Sequence, residues 1–121
     1  MFRRRKRLGP EGTASNDAEA AAVADEAMSC ATELQELGER IDAFRRRGAA
    51  AIGGEPGPEV PALRDQQAEL VQRFLERAGE RDPAALAAAR LRLGERYAER
   101  HDLVTGRALS LVEAALGRAT P

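Results

Sequence analysis

Residues 20–44 read AAAVADEAMSCATELQELGERIDAF, and the fold turns on this stretch. Within it Ala20, Val23, Ala27, Cys30, Leu34, Leu37, Ile41 and Phe44 recur at alternating steps of three and four. That is the spacing of one face of an α-helix, a coiled-coil seam able to close on a neighbour. A half-buried strand would instead alternate apolar and polar residues at every second position. The N-terminal half of the seam is small and the C-terminal half large. A partner helix therefore comes close at Ala20 and Ala27 and stands farther off at Phe44.

Signals at both ends bracket this helix. Near its start Asn16 offers a side-chain acceptor to free backbone N–H groups, Glu19 follows three residues on, and Asp17 and Glu19 suit the positive end of the dipole. At the far end Arg45, Arg46 and Arg47 face the negative end, and Gly48 or the Gly53-Gly54 pair supplies a left-handed exit. The pairs Glu36 with Arg40 and Asp42 with Arg46 have the i, i+4 order that adds a few tenths of a kcal/mol each.

Moving outward, Gly53, Gly54, Pro56, Gly57 and Pro58 cannot sustain a helix, so residues 53–58 read as the main interhelical loop. A second helix is predicted from about Glu59, with Pro61 in its first turn and Leu63, Leu70, Val71, Phe74, Leu75 and Ala78 on its apolar face. Gln67 interrupts that face. Gly79 ends it, and Asp82 caps a further helix beginning at Pro83. From there Leu86, Ala89, Leu93, Tyr97, Val104, Ala108, Leu111 and Ala115 keep a period near 3.6, with only Arg100 off the pattern. That continuity favours one long helix to about Leu116.

The expectation is an all-α protein: a three-helix antiparallel bundle with two long helices and one shorter one. The alternative is four helices with a break near His101. Residues 15–118 form the single helical domain, and residues 1–14 form a flexible basic tail with too little apolar matter to offset the entropy of ordering.

The residues Asp82-Pro83, Leu93-Gly94, Tyr97, Asp102, Ala108 and Ala115-Leu116 resemble one divergent tetratricopeptide repeat. The match covers about a third of the chain. Two extra residues stand between Asp102 and Ala108, no second copy lies in residues 15–80, and stable solenoids need about three repeats. The resemblance implies a helix hairpin broken at His101 and a role in protein binding.

Composition narrows the function. The chain has 121 residues, enough for a core without staples, and its aromatic content of 3% makes that core aliphatic. Cys30 is the only cysteine, so no intrachain disulfide forms and a cytoplasmic location is expected. No apolar run spans a bilayer, and no apolar segment follows the basic start as an export signal would require. Arg3, Arg4, Arg5, Lys6 and Arg7 hold five of the 19 basic residues, and setting them aside leaves 14 basic against 20 acidic, a net of -6. A cationic tail precedes an acidic body.

Chemistry-bearing constellations are sparse. His101 is the only histidine, so no histidine pair builds a metal site, and consecutive helix side chains at His101 and Asp102 point apart. Cys30 falls on the apolar seam as core filler. Asp25, Glu26, Glu33, Glu36 and Glu39 fall on or beside polar helix faces. Gly53-Gly54 lacks the Lys and Ser/Thr of a phosphate loop.

These readings make the chain a non-catalytic helical interaction or oligomerisation module with no cofactor and no small-molecule substrate. The expected partner is a protein, including a second copy. The expected interface is Val23, Leu34, Leu37, Ile41, Phe44, Leu93, Tyr97 and Leu111. The alternative is an accessory protein whose Arg3–Arg7 cluster contacts nucleic acid phosphates or an anionic membrane surface.

Overall fold

A computed structural model describes the backbone of residues 9–50 and 59–119, with side chains for 17–48 and 59–119. The described residues form four α-helices and no strand: α1 Gly9–Ala50, α2 Glu59–Ala78, α3 Pro83–Arg100 and α4 Leu103–Ala119. The α1 helix begins at Gly9, ahead of the start expected near Asn16, and runs through Gly48 rather than turning there. The stretch 53–58 and the cluster Arg3–Arg7 lie outside the described residues.

At 42 residues α1 is ~63 Å long, more than twice the length of any other element. It is the spine, packing against α2, α3 and α4, while α4 also touches α2. The taper read from the sequence explains how three helices share it. Ala20, Val23, Ala24, Ala27, Cys30, Ala31 and Leu34 are buried in one core with Phe74, Ala78, Leu86, Ala89, Leu93, Ala108, Leu111, Val112 and Ala115. Alanine offers little bulk, so α3 and α4 both come close to this half of α1. Toward the other end Leu37 and Ile41 close with Val60 and Leu63 in a second core drawn from α1 and α2 alone.

The α2 helix returns antiparallel to α1, and its contacts run in opposite order along the two chains. Gln67 Nε2 donates to the carbonyl of Leu34 at 3.2 Å, the Cys30 thiol donates to the carbonyl of Leu70 at 3.7 Å, and Arg77 and Arg81 reach Glu26 at 3.3 and 2.8 Å. Gln67, an interruption in the apolar face, is thus a cross-helix hydrogen bond. Opposite it, a Cβ at Gly38 would sit 3.7 Å from Gln67 Nε2, an ordinary packing distance.

The expected three-helix architecture is corrected to four, because the last segment breaks at His101 and Asp102. His101 adopts φ 54, the left-handed conformation that ends a helix, and its N–H donates to the carbonyl of Tyr97 at 2.8 Å. Asp102 then starts α4. Its Oδ2 accepts the Thr105 amide at 3.0 Å and its Oδ1 accepts the Thr105 hydroxyl at 2.7 Å. Thr105 is fully buried, so this bond also satisfies a hydroxyl that water does not reach. Apolar phase survives the break because both helices turn the same kind of face to α1. The α3–α4 hairpin has the break at His101 that the repeat resemblance implied. The start of α3 matches expectation, with Asp82 Oδ1 accepting the Ala84 amide at 2.9 Å.

Candidate interaction surface

Of the eight residues expected at a partner interface, six are buried within the chain: Val23, Leu34, Leu37, Ile41, Leu93 and Leu111. The bundle consumes its own seam. Phe44 is half-buried beneath the Arg47 guanidinium, 4.3 Å from its ring centre, and Tyr97 remains 40% exposed. The residues that sequence periodicity selected are therefore the ones holding the fold together.

The apolar surface left open lies elsewhere. Among the described residues the exposed large hydrophobics are Leu91 at 68%, Leu103 at 62% and Tyr97 at 40%, all on α3 and α4. On α3, Ala84, Ala87, Leu91 and Ala98 are exposed along one side. At 100° per residue this side lies roughly opposite the buried Ala85, Leu86, Ala89 and Leu93. On α4, exposed Leu103, Ser110, Ala114 and Gly117 share the side opposite buried Thr105, Ala108 and Val112. Both helices thus bury one apolar face on α1 and turn to solvent a second one of mostly small or apolar residues. Each stripe carries one charge: Glu95 between Leu91 and Ala98 on α3, and Arg107 between Leu103 and Ser110 on α4.

Two contacts fix how α3 and α4 lie side by side. Arg90 Nε stands 3.7 Å from Glu113 Oε2, and a Cβ on Gly106 would lie 3.1 Å from Tyr97 Cε1, so the missing side chain lets the tyrosine ring lie against α4 without shifting. Seven residues forward on α3 correspond to seven back on α4, which makes the pair antiparallel and in register. The Arg90–Glu113 pair, with side chains about half exposed, sits on the line between the helices. Arg118 stands at the margin of the face, while Glu95 lies within it.

A second feature runs along α1 and α2. A groove of 770 Å³ is lined by Glu33, Glu36, Leu37, Glu39, Arg40, Glu69, Leu70 and Arg73 among others, and it continues past Cys30 and Phe74 to Arg77. Its walls are charged and pair across the helices. Arg81 lies 3.9 Å from Glu19 and 2.8 Å from Glu26, which Arg77 also reaches. Glu19, Glu26 and Glu33 are seven residues apart, and Arg73, Arg77 and Arg81 four apart, so the two ladders face each other. That spacing was a legible signal in the sequence. The ladder orients α2 on α1, and its carboxylates point to water and arginine rather than converging on a shared point.

The titratable singletons have local duties. Burial pushes the Cys30 thiol above its ordinary value, Glu33 adds to this, and Arg73 opposes both. His101 is exposed, and its ring meets Tyr97 edge-on at 5.8 Å. Asp102 is occupied by Thr105, not by His101. Its carboxyl is held below the ordinary range first by the Thr105 amide, then by the Thr105 hydroxyl, against partial desolvation. Among the described residues no group of three His, Cys, Asp or Glu side chains is placed to hold a metal ion. No helix of the described residues is long and apolar enough to cross a membrane. Comparison with known proteins returns no matching family model, no curated relative and no solved structure of similar fold.

Proposed function

We propose that this chain is a non-catalytic helical interaction module of the cytoplasm, docking a protein through the outer face of α3 and α4. The observation that carries this reading is the exposure of Leu91 and Leu103 among small residues on the outer face of two adjacent helices, with Glu95 and Arg107 as the charges between them and the half-exposed Tyr97 in the seam beside it. Water contact with those side chains costs free energy that a partner would recover, at about 25 cal/mol per Å² of apolar area covered. The same helices already bury a complete core face on α1, so stability of the bundle does not account for the second one.

Affinity capture from the source cell with the wild type and with Leu91→Arg tests this. Proteins retained by the wild type and lost with the variant, then rebound as pure proteins in calorimetry, support the reading. Identical retention by both chains, with no Leu91-dependent self-association, refutes it.

A further inference from the structure

Resting on that reading of the α3–α4 face, we infer that its partner is a second copy of this chain. The two copies stack face to face about a two-fold axis parallel to the helices. Shape and charge lead to the same arrangement.

Consider charge first. Two equal layers of two helices stack symmetrically with full overlap about an axis lying either along or across the helices. An axis across the helices lays α3 on α3 and sets Arg90 against the partner's Arg90. An axis along them lays α3 on the partner's α4, and each Arg90 then meets the partner's Glu113 while keeping its own at 3.7 Å. The Arg90–Glu113 pair, the one between α3 and α4 among the described residues, becomes a closed quartet of alternating sign. Opposite charges fix register and suppress the wrong orientation.

Steric fit follows without adjustment. The register set by Arg90–Glu113 and Tyr97–Gly106 puts Leu91 level with Val112 and Leu103 level with Arg100. In the stack, Leu91 projects onto the partner's α4 between Ser110 and Ala114, which are small, and Leu103 projects onto the partner's α3 beside Ala98, also small. Leu91 and Leu103 thus each meet small residues on the other copy. A patch ~27 Å long and two helices (~20 Å) wide buries ~540 Å² per copy, or ~1,100 Å² in all, at the lower edge of specific interfaces. The dimer is therefore weak and concentration-dependent.

Light scattering and sedimentation of the pure full-length chain from roughly 1 to 500 µM give the test, since small interfaces dissociate in this range. The expected mass rises from 13.0 kDa to twice that value. Leu91→Arg and Ala114→Arg, on different helices, each hold it at the monomer value, with circular dichroism unchanged because both sites are exposed. Arg90→Glu and Glu113→Arg each weaken association at least about tenfold at low salt, and the double exchange restores it. A wild type that stays monomeric throughout, or a double exchange no better than either single reversal, overturns the inference. If the pure chain is monomeric yet a reconstituted partner still depends on Leu91, the second copy is wrong and the docking face stands. If no Leu91-dependent partner exists either, both fall.

Discussion

Leu91 and Leu93 are two residues apart on α3, with the same side chain and nearly opposite environments, at 68% and 0% exposure. Truncating each to alanine therefore isolates burial from everything else in the helix. Leu93→Ala removes a side chain wholly enclosed by the core that α3 shares with α1 and α4. The lost transfer free energy plus the residual cavity amounts to about 2–5 kcal/mol, a large part of the ~5–15 kcal/mol available to a domain. With an unfolding entropy of ~2.1 cal/mol/K per residue, a loss of ~3 kcal/mol lowers Tm by about 12 °C in a chain of this length. Leu91→Ala should stay within about 0.5 kcal/mol, as surface substitutions do. Both are measured by urea and thermal denaturation followed by circular dichroism at ~1 µM, below the association range expected of a small interface. Equal losses, or a larger one at Leu91, would mean that α3 is rotated about its axis relative to α1, and both the core and the docking face would be wrong.

Other outcomes follow from the contacts. The Thr105 amide and hydroxyl bind the ionised Asp102 carboxylate more strongly than its neutral form, so its folded pKa lies below the unfolded one. Its contribution to stability is present above the ordinary carboxylate value of about 3.9 and is lost as pH falls through the lowered folded value. Asp102→Asn should flatten that part of the acid limb in pH-dependent melts, and an unchanged limb would contradict the cap. Glu26 receives both Arg77 and Arg81 with its side chain 28% exposed, so Glu26→Gln should cost about 1 kcal/mol at low salt. The difference from wild type should shrink in 1 M salt, where screening acts over ~3 Å, and a salt-independent cost would argue against the ladder. Burial and Glu33 keep the Cys30 thiol protonated, so its reaction with a disulfide reagent near pH 8 should be much slower than that of a free cysteine until denaturant is added. Rapid labelling in native buffer would show that the α1–α2 seam is open at that level.

Much of this fold was written in local patterns. The heptad steps from Ala20 to Phe44, the start at Glu59 and the Asp82-Pro83 cap each depend on a few neighbouring residues, and the chain folds as those patterns dictate. The break at His101 was also encoded, by Asp102 and Thr105 three residues apart, but apolar phase runs unbroken across it. Periodicity reports which side of a segment is buried, not whether the segment is continuous, and the cap geometry became visible only once the Thr105 hydroxyl was enclosed. Helix propensity and patterning likewise fixed an apolar stripe on α1, while the three-dimensional packing decided what that stripe meets. Because α2, α3 and α4 all settle on α1, Val23, Leu34, Leu37 and Ile41 are spent inside the molecule, and the open apolar surface falls on Leu91 and Leu103. Which face of a helix remains uncovered depends on how many neighbours it acquires, a nonlocal property that residue spacing does not carry.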